Sequence, residues 1–291
     1  MTNLTKRIGS GVVLILLLFC ISYGTVVYDA SILSFSINTI FAIILWEYSG
    51  FIKNTAFKVL FLSGFVLAWL LPGYLGDVTA SDTIKFVFYM TIISCLVWIL
   101  ISLWIFVFDK PHLHNLWIFL LGYLTLIPAF VSLLWIIFNY SGAFILMIIV
   151  SVSIADSSAY FIGKKYGKIK LLPNISPGKT REGLLGAIVI TPLSLVIYAI
   201  LMGYPIVGFL FFGLIATAIA FIGDVFFSLI KRSKNKKDSS HLIPGHGGFI
   251  DLLDGTIAVL PFFMFLVIYP GDLGLENLSN FTNTYLLAYF M

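Results

Sequence analysis

Nine apolar stretches, each close to the length needed to cross a bilayer, partition this sequence, and polar residues collect in only two of the segments between them. The stretches fall at about 8–28, 32–51, 57–75, 84–108, 114–137, 142–163, 183–202, 205–230 and 253–270. A hydrocarbon core about 30 Å thick is crossed by roughly 20 helical residues. No water is available there to hydrogen-bond a bare backbone, so a run of this kind closes its own hydrogen bonds as a helix. The 291 residues are 60% hydrophobic and only 10% charged, against about 25% charged in a soluble domain. That shortfall excludes a soluble globular enzyme, and the hydrophobicity excludes a disordered chain. The predicted fold class is all-α: a polytopic integral membrane protein with about nine transmembrane helices.

Lys6 and Arg7 precede the first run as they would in a secretory signal. No small-residue cleavage site follows, and another span comes almost at once, so the first run is expected to remain as a helix. Cys20 and Cys95 lie inside apolar runs without a pairing pattern, which indicates neither a disulfide framework nor a metal knuckle. Lysine and arginine then set the orientation. Of the 17 basic residues, all but Lys85 fall on one side when the spans alternate. The positive-inside rule makes that side cytoplasmic, with the N-terminus inside and the C-terminus outside. The chain is expected to be a single membrane domain, 1–291, in which 1–140 is an N-terminal helical scaffold. Residues 141–270 form the catalytic half, with two long basic cytoplasmic loops at 164–182 and 231–252.

A carboxylate inside a span is expensive and by default functional. Asp156 and Asp224 each lie near the cytoplasmic end of a span, on a helical face running toward the basic surface. A helix-packing hydrogen bond is the plainer reading of each. Glu47, near the inner end of the second span, is divided evenly between a structural and a supporting role.

The first loop reads Leu172-Pro-Asn-Ile-Ser-Pro-Gly-Lys-Thr-Arg-Glu-Gly183. Ser176, Pro177 and Gly178 are expected to form a turn, with Lys179, Arg181 and the Thr180 hydroxyl beside a helix start. Such a turn suits an anion such as phosphate, although an ordinary basic loop meeting anionic lipid would look the same. The GxxxxGK[ST] spacing of a P-loop is absent.

The second loop is more informative. Lys231, Arg232, Lys234, Lys236 and Lys237 come first; then Pro244-Gly-His-Gly-Gly248 forces an irregular backbone that can approach a ligand closely. Asp251 and Asp254 follow at i and i+3 on one face of the next helix. Two carboxylates one turn apart repel unless a cation or proton lies between them. Mg²⁺ suits such oxygens together with substrate phosphate, and the mixture of acids, cations and glycines suits phosphoryl or nucleotidyl transfer. Zinc does not fit, because His241 and His246 have no third nitrogen or sulfur ligand nearby. His246 reads as a phosphate contact or a loop-packing residue. Lys234, Lys236 and Lys237 read as the positive-inside signal, whereas Lys231 and Arg232 continue the Asp224 face.

The segment from Ser228 to Asp254 resembles the signature of the phosphatidate cytidylyltransferases, the CDP-diacylglycerol synthases. The resemblance is carried by Ser228, Lys231, Arg232, Lys237, Asp238, Pro244, His246, Gly247, Gly248, Asp251 and Asp254. Asp156-Ser-Ser-Ala-Tyr160, Ser176-Pro-Gly-Lys-Thr180 with Glu182-Gly183, and Gly223-Asp224 are similar to other landmarks of that family. Two positions depart from it: Leu252 stands where the family usually has Arg, and Arg181 where it usually has an aromatic residue.

The resemblance implies a nucleotidyltransferase that converts CTP and phosphatidate to CDP-diacylglycerol and pyrophosphate. Its partners would be CTP, the phosphatidate lipid and the bilayer, with no nucleic acid, and a homodimer is a further expectation. It would reside in the inner (plasma) membrane as a multi-pass protein with its active site facing the cytoplasm. Asp224, Asp251, Asp254 and Lys231 are the expected catalytic residues. Asp224, Asp251 and Asp254 would hold Mg²⁺, with room for a second cation. Asp156, Ser176, Lys179, Thr180, Arg232, His246, Gly247 and Gly248 are the expected substrate-binding residues. The alternatives are a CTP-dependent polyprenol or lipid-alcohol kinase, which would transfer the γ-phosphoryl instead, and a transporter. Transport is disfavoured by the lack of inverted repeats and by the gathering of polar residues at one interface.

Overall fold

The structure, a computed structural model, describes residues 30–74, 80–107, 113–139, 142–203, 206–245 and 247–272. Eight helices lie in this part: α1 (Ala30–Ser49), α2 (Thr55–Tyr74), α3 (Ala80–Val107), α4 (Asn115–Asn139), α5 (Gly142–Tyr166), α6 (Arg181–Met202), α7 (Ile206–Ser233) and α8 (Phe249–Asp272). Each coincides with one of the predicted spans to within a few residues. The first predicted span, 8–28, and the orienting residues Lys6, Arg7 and Lys110 lie outside the described residues. Five helices contain a segment long and apolar enough to cross a membrane: Lys85–Val107, Asn115–Ile136, Ile145–Tyr166, Arg181–Leu201 and Ile206–Ser233. Their outward faces carry bare leucine, as at Leu100, Leu103, Leu193 and Leu201. Lipid tolerates such a surface; the charged faces that water would require are absent from these helices. This is an all-α membrane protein.

Helices α5, α6, α7 and α8 pack consecutively, each against the next, and α8 also touches α1, α3 and α4. α8 is therefore the post around which both halves of the chain assemble. Aromatic rings fill the joint between α1, α2 and α4. Tyr48 stacks on Phe61 at 5.3 Å, and Phe65 on Tyr123 at 5.2 Å. The Tyr48 hydroxyl donates to the Ile118 carbonyl at 2.8 Å, and the Tyr123 hydroxyl to that of Leu60 at 2.7 Å. Hydroxyls placed this way give each buried ring a satisfied polar end.

The first loop differs from expectation. It holds a small antiparallel hairpin, β1 (Lys170–Leu172) and β2 (Ser176–Thr180), with Lys170 opposite Thr180 and Leu172 opposite Ser176. Ser176-Pro-Gly178, expected to be a turn, is strand; the turn lies one step earlier, at Pro173-Asn174-Ile175. Strand pairing to Lys170 outweighs the local turn preference of Pro and Gly. Thr180 ends β2 and caps α6, its Oγ1 accepting from the Gly183 N–H at 3.2 Å. Glu182 Oε2 accepts the N–H groups of Lys168 at 3.0 Å and Ile169 at 3.3 Å, which fastens the hairpin to α6.

Candidate active site

The hairpin delivers Lys179 to the C-terminal halves of α5 and α7. Its Nζ pairs with Asp224 Oδ2 on α7 and lies 3.7 Å from Asp156 Oδ1 on α5. It also sits 5.6 Å from the centre of the Phe221 ring. The side chain is 19% exposed, so the ammonium is largely out of water. Burial disfavours its charge more than any other single influence, but Asp224 and Asp156 together outweigh it, and Lys179 titrates above the ordinary lysine value. Ser228, one turn after Asp224, donates to Asp224 Oδ1 at 3.3 Å.

A second acid–lysine unit stands between α7 and α8. Lys231 Nζ, buried near the end of α7, donates to Asp251 Oδ1 at 2.6 Å. Asp254, one turn further along α8, is 6% exposed and lies within electrostatic reach of Lys231, Asp224 and Asp156. The Lys231 ammonium therefore stands beside this pair of carboxylates, in direct contact with Asp251. The two units meet because α7 and α8 approach closely at Gly223, where a Cβ would lie 2.6 Å from the Asp254 carbonyl oxygen. A small residue at such a crossing lets two membrane helices touch backbone to backbone.

Asp251 has a second task. Its Oδ2 accepts from the Ser239 N–H at 2.6 Å, the Ser239 hydroxyl at 2.8 Å and the Gly248 N–H at 2.9 Å. A side chain in the first turn that reaches back to the amide just before its helix is one half of a capping box. Gly248 has no side chain to supply the other half, and Glu47 supplies it from α1. Glu47 Oε1 accepts from Ser240 Oγ at 2.6 Å and the Phe249 N–H at 3.0 Å. Its Oε2 accepts from Ser239 Oγ at 3.0 Å and the Ile250 N–H at 2.9 Å. A residue about 200 positions upstream therefore caps α8, and Ser239 links it to Asp251.

Other predicted site residues are placed as follows. Arg232 donates to the carbonyls of Ile175 at 3.4 Å and Lys236 at 3.2 Å, tying the two loops together. Ser176 lies in β2 opposite Leu172, and Thr180 is occupied with its cap. Gly247 has φ 98°, a conformation that suits glycine. Its N–H donates to the Ile243 carbonyl at 3.0 Å, and that of Gly248 to Asp251 Oδ2 on α8 at 2.9 Å. His246 lies outside the described residues. The sequence reading does not single out Ser239, and of the two roles it leaves open for Glu47 the structure shows the structural one. Serine in a polar loop gives no local signal of such a role.

Four aspartates and two lysines form the array, a formal excess of two negative charges. Hard carboxylate oxygens with that excess suit a divalent cation in charge and donor type. Among the described residues, however, no three acidic, His or Cys side chains are disposed around a common metal position. The ammoniums of Lys179 and Lys231 stand among these acids, so a metal ion would enter by taking over a place that an ammonium holds.

A sequence model of the cytidylyltransferase family matches residues 5–269. A phosphatidate cytidylyltransferase of Haemophilus influenzae is 30% identical over 293 residues, covering 91% of this chain and 99% of that protein. Proteins of the same name from Bacillus subtilis and Pseudomonas aeruginosa are 36% and 35% identical, over 50% and 52% of this chain and 58% and 57% of their own lengths. With the family match spanning most of its length, the chain belongs to the cytidylyltransferase family.

Proposed function

We propose that this protein transfers the cytidylyl group of CTP to phosphatidate, giving CDP-diacylglycerol and pyrophosphate. The observation that carries the reading is the acid–lysine array at the ends of membrane-embedded helices, in a chain of this family. The lipid keeps its acyl chains in the bilayer and presents its phosphate at the interface. One of its oxygens forms a bond to the α-phosphorus of CTP, the bond from that phosphorus to the β-phosphate oxygen breaks, and pyrophosphate leaves with the bonding electrons. The attacking phosphate is already anionic at neutral pH, so positioning and charge neutralisation dominate the barrier. Lys179 and Lys231 can exchange a carboxylate partner for a phosphate oxygen, which brings substrate charge next to ammoniums held ready by Asp224 and Asp251. Arg232 keeps the hairpin and the α7–α8 loop together around that space. Asp224, Asp251 and Asp254 are the residues that would hold Mg²⁺, with Asp156 beside them and room for a second cation; when bound, such ions neutralise phosphate charge.

In this reading the protein crosses the inner (plasma) membrane nine times, with the N-terminus and the active site on the cytoplasmic side. Residues 1–140 serve as scaffold and 141–270 carry the chemistry, within a homodimer. The test is to incubate purified protein with phosphatidate, Mg²⁺ and CTP labelled separately on the base and on the γ-phosphate. Base label in the lipid and γ label in pyrophosphate is the expected result. γ label in the lipid with base label in CDP would establish a lipid kinase instead.

A further inference from the structure

We infer that a second pocket, beside the acid–lysine array and distinct from it, binds a phosphate-bearing anion. The pocket is a cavity of about 500 Å³ where the α7–α8 loop folds over the end of α1 and the start of α2. None of Asp156, Lys179, Asp224, Lys231, Asp251 or Asp254 lines it. Lys58, Lys236 and Lys237 do, with the exposed His241 beside them. Lys58 and Lys237 form no ion pair among the described residues. Lys236 holds the Gly50 carbonyl at 3.2 Å and lies over the Phe51 ring.

Two carboxylates also line the pocket, Glu47 and Asp238. Glu47 is 3% exposed, and both its oxygens are directed at the hydroxyls and amides that begin α8. Its charge is answered there by the positive end of the helix. The lysines that line the cavity then outnumber Asp238 three to one, a surplus of two positive charges that matches a phosphate dianion. His241 adds a donor, and Trp46, 56% exposed, stands at the edge as an interfacial aromatic does. The occupant is accordingly a phosphate group, whether on an anionic lipid headgroup or free in solution. It would rest against Glu47 and Ser239. Ser239 Oγ lies between Glu47 Oε2 and Asp251 Oδ2, so an occupant is one hydrogen bond from a residue of the array.

The inference does not depend on cytidylyl transfer, and its test uses no CTP. Full-length protein and a Lys58→Gln, Lys237→Gln double variant would be compared by native mass spectrometry and equilibrium binding. One arm uses inorganic phosphate with detergent-purified protein; the other uses phosphatidylcholine nanodiscs containing phosphatidylglycerol as the minor lipid. The double variant is expected to bind at least one probe about thirtyfold more weakly, since each lysine near an anionic surface contributes about fivefold. Loss confined to the lipid arm assigns a headgroup site, and loss confined to inorganic phosphate assigns a soluble ligand. Unchanged affinity for both probes overturns the inference. Should the double variant fail to fold, the single Lys237→Gln substitution, on an exposed loop position, is read in the same way.

Discussion

Replacing Glu47 by Gln changes neither size nor shape, yet the structure predicts a large loss of stability. Each carboxylate oxygen accepts one serine hydroxyl and one backbone amide: Ser240 and Phe249 at Oε1, Ser239 and Ile250 at Oε2. A carboxamide has one accepting oxygen. Whichever way it turns, its NH₂ group meets either the Phe249 or the Ile250 N–H, donor against donor. The serine hydroxyl beside it can rotate and accept, but the backbone amide cannot. One buried N–H is therefore stranded, at about 1–3 kcal/mol. Loss of a negative charge at the start of α8 adds about 0.3–1 kcal/mol. The sum is roughly 1.3–4 kcal/mol, or about 3–16 °C in melting temperature at the 2–4 °C per kcal/mol of a chain slightly smaller than this one. Glu47→Ala should lose at least as much. Thermal unfolding of the purified variants in one detergent, followed by tryptophan fluorescence, measures the effect. A Gln variant that melts within 1–2 °C of the parent (roughly the scatter expected of a neutral surface change) would refute the cap.

Asp224→Asn and Asp251→Asn should each reduce cytidylyl transfer at least about a hundredfold while the protein still purifies as one folded species; parental turnover in either would remove that residue from the mechanism. Lys179→Met leaves Asp156 and Asp224 facing each other without their shared cation, so its activity should fall by a similar factor, whereas Lys179→Arg should recover part of it. Gly223→Ala forces α7 away from α8 at the Asp254 carbonyl, with an expected loss of about 1–3 kcal/mol in thermal unfolding and a matching fall in turnover. Chelation with EDTA should abolish product formation, and added Mg²⁺ should restore it; activity indifferent to both would discard the divalent ion.

The helical organisation was legible from the amino acids alone because the bilayer is an unforgiving solvent. It imposes a length and an apolar composition on each span, and both are local properties of the chain. α3, for example, is recognisable from 84–108 without any partner. The acids of the candidate site stood out for a related reason: acids such as Asp224 in apolar surroundings have no cheap explanation, and the Ser228–Asp254 spacing is distinctive. The hairpin was not. Ser176-Pro-Gly178 has the composition of a turn, and only pairing with β1 makes it a strand.

What tertiary structure alone decided is which charge meets which. Lys179 and Asp224 are 45 positions apart and join only because β2 folds back over the ends of α5 and α7. Glu47 caps α8 across some 200 residues because α1 packs beside it, and the amides of Gly247 and Gly248 meet the Ile243 carbonyl and the Asp251 carboxylate. Hydropathy and motif spacing are written residue by residue along the chain. Ion pairs and caps between distant segments depend on where packing brings their backbones, and that information belongs to the folded assembly rather than to any local stretch of sequence.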